Sequence, residues 1–192
     1  MTVGKRLRNL LAISESEQIV RRYFVVNGFD GALAILGLMV GFRVSQPVDH
    51  RVVITSGLAT AFALGMSGLS SAYLSEVAER RRALARLEKA MLDSLEQSDH
   101  ARAATWIPWL VACVNGATPL GIGLLTVLPV WLAERGVVLP IDPLQASIAV
   151  SLLLIFLLGI FLGRVDGTFW LWSGLRSLAV ALLTVGVIYL AS

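Results

Sequence analysis

Five apolar runs, each about as long as a membrane crossing, limit what this 192-residue chain can fold into. They fall at about residues 24–43, 52–75, 105–133, 144–163 and 168–190, and a helix needs about 20 apolar residues to cross the hydrocarbon core. A backbone exposed to lipid must satisfy its own hydrogen bonds, so each run is predicted to be a helix. Composition agrees, with 56% hydrophobic and 15% charged residues, against about 45–50% and about 25% in soluble domains. The runs occupy most of the chain and leave no room for a separate soluble catalytic domain. Cys113 is the only cysteine, which excludes a disulfide scaffold. A sequence pI near 9.5 could suggest nucleic acid as a partner, but the basic residues sit in blocks beside the apolar runs, where membrane topology places them. No nucleic-acid partner is expected.

Those blocks set an orientation. Lys5, Arg6, Arg8, Arg21 and Arg22 precede the first run, and Arg80, Arg81, Arg82, Arg86, Lys89 and Arg102 lie between the second and third. The opposite side carries only Arg43, Arg51 and Arg135. An all-α membrane protein of five transmembrane helices, N-terminus inside and C-terminus outside, is therefore expected. Trp106, Trp109, Trp131, Trp170 and Trp172 lie at the ends of the third and fifth runs, as interfacial anchors do.

Two segments outside the runs also have a pattern. Residues 1–22 form an amphipathic arm, with Leu7, Leu10, Leu11 and Ile13 against Lys5, Arg6 and Arg8, and read as an interfacial helix. That pattern is not an apolar core with a small-residue cleavage site, so no removable signal peptide is expected. Ser14 with Glu17 fits a capping box that restarts the helix into the first span. The rest, residues 23–192, is expected to be one transmembrane domain with a short acidic cytosolic lobe over 76–104.

From Glu76 to about Gln97 the second helix continues without Gly or Pro. It presents Leu84, Leu87, Met91 and Leu95 on one face. A straight extension of about 20 residues would end about 30 Å from the membrane, whereas Ser98 to Ala104 reach back at most about 25 Å. The helix must tilt, bend near Arg80–Arg82, or meet a third span that itself begins outside the bilayer.

Polar side chains inside the runs are the functional candidates. Asp30 lies in Asn27-Gly28-Phe29-Asp30-Gly31, about 9 Å into the first span. A carboxylate there costs about 2.5–3.5 kcal/mol on insertion scales. The second span carries Met66, Ser67, Ser70, Ser71, Tyr73 and Ser75, with Ala61, Gly65, Gly68 and Ala72 at three- and four-residue spacing, where a neighbouring helix can approach closely. Spans one and two are expected to form a polar seam along which Asp30, Asn27, Met66, Ser67, Ser70 and Tyr73 could pass a solute. Two readings of Asp30 stand side by side. Arg176 is expected at a similar depth in span five, so the two could form a structural ion pair; alternatively Asp30 handles a cation. Asn115, Gly116 and Pro119 suggest a local break in span three, whose freed carbonyls could line a cavity.

On the cytosolic side Glu76 and Glu79 lie at i, i+3 on one face, with Glu88, Met91 and Glu96 further along. Carboxylates suit hard divalent cations, and an added thioether tilts the preference towards iron or manganese. The same residues also fit an ordinary amphipathic helix whose acids pair with Arg82, Arg86 and Lys89. His50 and Asp49, in the outer loop, read as solvated. No nucleophile, base and orienting group converge, so no enzyme activity and no tightly bound cofactor are expected.

From Arg21 onward the chain resembles the vacuolar iron transporter family. The carriers are Arg22 to Gly41 with Gly28-Phe29-Asp30-Gly31, Tyr73-Leu74-Ser75, the Pro119-containing third span, and Gly174-Leu175-Arg176. Ser67 to Arg80 and Leu87 to Leu92 are similar to a prokaryotic branch of that family with a short cytosolic insert. The resemblance implies a five-span homodimer in a prokaryotic cell membrane that moves ferrous iron or manganese out of the cytosol in exchange for protons. It implies that Asp30 is the span-one transport aspartate, and that Glu76, Glu79, Glu88, Met91 and Glu96 are the remnant of a cytosolic metal-binding lobe. Gly68 and Ala72 stand where transporters of this family carry a span-two Met and Glu. The competing expectations are a membrane scaffold or regulatory subunit without transport, and a pathway for another small polar solute.

Overall fold

The computed structural model describes residues 16–45, 48–92 and 99–191. Five helices make up the described chain, with no strand among those residues: α1 (Ser16–Val44), α2 (His50–Met91), α3 (Asp99–Glu134), α4 (Pro143–Asp166) and α5 (Trp170–Ala191). All five are long and apolar enough to cross a membrane. The amphipathic arm over residues 1–15, with Ser14 of the capping box, lies outside the described residues, as do Asp93, Leu95 and Glu96.

Local chemistry explains the helix ends. Pro143 stands in the first turn of α4, where its missing N–H removes no intrahelical bond. The Asp142 carboxylate accepts the backbone N–H groups of Leu144 and Gln145 at 3.0 and 3.2 Å, an N-cap worth about 1 kcal/mol. α4 stops at Gly167, whose φ of 68° suits a residue without Cβ. The following N–H, of Thr168, donates to the Gly163 carbonyl at 3.0 Å.

The expected extension of the second span is present, and helix geometry selects among the ways of closing it. α2 is uninterrupted helix through Arg80–Arg82 for 42 residues, about 63 Å at helical rise. It runs to Met91, and Leu92 after it has a φ of 54°; the expected end near Gln97 lies outside the described residues. α3 is already helical at Asp99 and runs 36 residues, about 54 Å, so it too exceeds the hydrocarbon thickness. The third helix thus starts ahead of its apolar run, which fits the last of the expected ways. Leu87 and Met91 are exposed, so the extension's apolar stripe is not covered by the described residues.

The chain divides into two compact units. In the one formed by residues 25–65 and 118–191, two clusters fill the interior. Ala32, Leu36 and Val40 of α1 meet Ile122, Ile155, Leu158 and Ala181. Ile35 and Met39 of α1 meet Val53 and Ala61 of α2, Val127 and Val130 of α3, and Leu144. The other unit comprises residues 16–24, 66–92 and 99–117 among those described. Its core is Ala72 with Ile107, Val111 and Ala112, flanked by Ile19, Val20, Tyr23, Leu69 and Tyr73.

Small residues set the helix spacing. A Cβ on Gly159 would lie 2.9 Å from the Gly174 Cα and 2.8 Å from the Ser177 Cβ. Gly159 and Gly163, a spacing that also fits contact between copies, serve here the α4–α5 contact within the chain. Gly159→Ala should therefore lower the detergent melting temperature, by the equivalent of about 1–3 kcal/mol for an overpacked core. Gly121, with nothing within 4 Å of a built Cβ, is the control; Gly121→Ala should leave the melting temperature unchanged or raise it, because Ala is the better helix former.

Candidate functional site

The Gly28-Phe29-Asp30-Gly31 stretch splits into packing and polar roles. A Cβ on Gly28 would meet the Leu158 side chain at 3.0 Å, and one on Gly31 would meet the Pro119 Cα and Cβ at 2.8 Å. Phe29 packs against the Ala32–Leu36 cluster. Asp30 belongs to a different line: Arg22, Val26, Asp30 and Ala34, four residues apart, are all exposed. At 100° per residue, Asp30 lies about 200° around the helix from Ala32, on the side away from the core.

The expected Asp30–Arg176 ion pair is not formed. Ion pairs among the described residues are His50–Glu134, Arg51–Glu134 and Arg80–Glu76. Arg176 is exposed, about 140° around α5 from the buried Ala181, and its guanidinium lies 5.4 Å from the centre of the Trp172 ring. Each charge sits opposite the buried stripe of its own helix, which is why the two do not meet. Among the described residues Asp30 has no hydrogen bond or ion pair. Asn27 is half-buried and does interact.

On α2 the expected close approach is present, and the neighbour is α3. Ala61, Gly65, Gly68 and Ala72 are all buried. A Cβ on Gly123 would fall within 3.4 Å of the Ala61 Cα. Gly68 sits against Asn115: the Asn115 side-chain amide donates to the Gly68 carbonyl at 2.7 Å, and a Cβ on Gly68 would lie 2.9 Å from the Asn115 carbonyl oxygen. Pro119, four residues on, has no N–H to offer that carbonyl. α3 nevertheless stays helical throughout, so the expected break becomes a polar lock between helices and not a cavity lined by carbonyls. The sequence signal for it was present in Asn115 and Pro119 at i, i+4, but the partner was not.

This packing gives Gly68 and Ala72 a structural role. Gly68 and Ala72 face α3, Ala72 among Ile107, Val111 and Ala112, so neither position offers a side chain to a solute. Met66 does not take their place, being 61% exposed and about 200° around the helix from Gly68. Met66, Ser67, Ser70 and Ser71 share the exposed face. Ser70 donates its hydroxyl to the Met66 carbonyl at 2.8 Å, and Ser71 donates to the Gly68 carbonyl at 3.3 Å. Both hydroxyls are satisfied within their own helix while their second lone pairs stay outward. Tyr73 stacks at a tilt on Trp109, with ring centres 4.5 Å apart.

Among the described residues, the acids of the α2 extension are not brought together. Glu76 is buried, and its carboxylate accepts from the Arg80 Nε at 3.3 Å. Glu79, expected on the same face, is exposed, and Met91 is 60% exposed. Glu88 is half-buried and does interact. Among the described residues no three His, Cys, Asp or Glu side chains group to hold a metal. The Glu76 carboxylate is thus used within α2 by its i, i+4 partner Arg80.

One ionic contact joins residues far apart in sequence. The Arg51 Nε donates to Glu134 Oε1 at 2.9 Å, and His50 Nδ1 lies 3.9 Å from Glu134 Oε2. Asp49 Oδ1 accepts the Arg51 backbone N–H. His50 and Asp49 therefore take part in joining the start of α2 to the end of α3.

An uncharacterised protein of Methanocaldococcus jannaschii is 27% identical over 164 residues, covering 84% of this chain and 82% of the relative. No family model matches the chain, and no solved structure does.

If positions 68 and 72 are helix contacts, installing a Met or a Glu there should damage the fold. Gly68→Met and Ala72→Glu are each expected to lower the detergent melting temperature, Ala72→Glu more, because a buried unpaired charge costs about 3 kcal/mol or more. Neither variant should gain metal-dependent stabilisation when iron or manganese is added. A rise in melting temperature with metal in Ala72→Glu would place this face on a cation path.

Proposed function

We propose that the protein is a homodimeric membrane transporter of a divalent transition-metal cation, ferrous iron or manganese. In this reading it lies in a prokaryotic cell membrane, N-terminus inside and C-terminus outside, and exports the cation in exchange for protons. The observation that carries it is Asp30. This carboxylate lies within an apolar crossing, on the exposed face of α1, with no partner among the described residues. A charge facing hydrocarbon is costly, so intramembrane ionisable groups face a partner or a water-filled path. A two-fold axis beside α1 would bring two copies of Asp30 together, and an isologous interface doubles every ligand. Two carboxylates suit a divalent cation better than one, and protonation of the pair would release it.

A second reading, a scaffold without transport, draws on the packing of Gly68 and Ala72, which leaves α2 without its own charged ligand. Reconstituted vesicles separate the two. Wild-type protein should move iron or manganese opposite to the proton flow when a pH gradient is imposed, Asp30→Asn should slow transport by about tenfold or more, and Asp30→Glu should retain part of it. Wild-type vesicles no faster than empty ones, or full activity in Asp30→Asn, would leave the scaffold standing.

A further inference from the structure

Two charges of opposite sign stand on outward faces of one compact unit, that of residues 25–65 and 118–191. Asp30 of α1 and Arg176 of α5 are both exposed, within helices long and apolar enough to cross a membrane. Neither forms an ion pair among the described residues. The Trp172 ring beside the Arg176 guanidinium attracts a cation but carries no net charge, so the guanidinium keeps its need of an anion. Asp30 and Arg176 lie 14 and 15 residues before the ends of their helices, Val44 and Ala191, about 21 and 22 Å at helical rise. Five successive crossings give α1 and α5 the same direction, so the two charges share a depth.

The faces that carry these charges also match in register. On α1, Ala34, Gly37 and Gly41 follow Asp30 at i+4, i+7 and i+11, all within about 60° around the helix. Ala34 is exposed, and a Cβ on Gly41 would meet nothing within 4 Å. On α5, Ala179, Leu183 and Gly186 follow Arg176 at i+3, i+7 and i+10, within about 80°. Ala179 and Leu183 are exposed, and a Cβ on Gly186 would likewise meet nothing. Glycine inside a helix is destabilising relative to alanine, and among the described residues no close contact within the chain uses Gly41 or Gly186. From charge to open glycine is 11 residues on α1 and 10 on α5. Only 11% of the α5 crossing is buried, so its outward face is free to meet another helix.

We infer that a second copy of this chain docks on this surface, with Asp30 of each protomer paired to the partner's Arg176 and the Ala34–Gly41 face of α1 against the partner's α5. A two-fold axis along the membrane normal keeps every residue at its own depth, so one isologous interface satisfies both charges twice. A lipid phosphate would reach Arg176 but leave Asp30 facing hydrocarbon, and a lipid amine would do the reverse. The second copy settles both together. Small residues on the two faces then let the helices come close enough for packing to hold them. The pair requires the homodimer proposed above but not transport; if a cation is carried, the guanidinium is the group that it must displace from the carboxylate.

The test uses the full chain in liposomes, with Cys113, its single and exposed cysteine, replaced by alanine. Two differently tagged chains, one with Ala34→Cys and the other with Ala179→Cys, are reconstituted together, which leaves both charges in place. Oxidation should join the two tags in a disulfide dimer, whereas Leu153→Cys, exposed on α4, should not replace Ala179→Cys in that reaction. Association is read by single-molecule photobleaching at graded dilution in lipid. Asp30→Asn and Arg176→Gln should each weaken it by about tenfold, and the exchanged pair Asp30→Arg with Arg176→Asp should restore most of the loss. A monomer at every dilution would overturn the pairing together with the homodimer. A stable dimer in which the tags do not cross-link above the control, in which Arg176→Gln associates like wild type, or in which the exchanged pair is no better than either single variant would overturn the pairing alone and leave the homodimer standing. Unchanged association in Arg176→Gln would assign its guanidinium to a lipid headgroup.

Discussion

In a bilayer, helices gain nothing by hiding apolar surface from one another, because lipid tails are as apolar as leucine. What holds such a bundle together is the contact made possible when two backbones come close. In this chain that contact depends on residues without bulk. Ala61 and Gly123 let α2 and α3 touch, Gly31 lets α1 reach Pro119, and Gly159 with Gly174 closes α4 onto α5. Each pair is a place where a single methyl is felt. The positions left for chemistry are those that the close contacts do not use.

Polar groups follow the same division. Asn115 is 2% exposed and gives its amide to the Gly68 carbonyl. Ser151 donates to Thr126 across α4 and α3 at 3.3 Å. Such bonds are worth about 0.5–2 kcal/mol in membranes and fix helix register more than they add stability. Arg51 with Glu134 does comparable work between the start of α2 and the end of α3, while Glu76 with Arg80 pairs within α2. Asp30 is a charged side chain in a span that none of these contacts absorbs.

The sequence carried the architecture well and the site only in part. Length and hydropathy place five helices because lipid permits little else; the apolar runs and the helices share their boundaries closely for α4 and α5, while α1 and α3 begin ahead of their runs and α2 continues well past its own. The small-residue stripe on α2 was legible as a close contact, but its partner was not. Spacing of 61, 65, 68 and 72 says that one face is thin; it does not say whether α1 or α3 fills it. Asp30 and Arg176 at similar depth looked like a pair because depth is a one-dimensional coordinate. Their angles around α1 and α5 supply the second coordinate, and each lies on the side away from its helix's core. Glu76 and Glu79 illustrate the same limit, since i, i+3 residues share a face only loosely, and here burial separates them.

Ligand count bears on what the chain can do with a cation. Calcium-like coordination takes six to eight oxygens and transition metals four to six donors, while the exposed membrane face of α1 offers one carboxylate, Asp30. Residues 68 and 72 cannot add to it without displacing α3. A cation path in this protein must therefore draw its remaining donors from serine hydroxyls, from water, or from a second copy of the chain. On the transport reading, the sparse donor set is itself a prediction of weak, fast binding, since a site with few charged ligands holds its ion loosely and lets it leave. On the scaffold reading, Asp30 would have to find a donor on a neighbouring chain that leaves it permanently neutralised. Retention of a metal and retention of a proton at one carboxylate are thus the two states between which this fold has to choose, and both place the decisive chemistry at the outer face of α1.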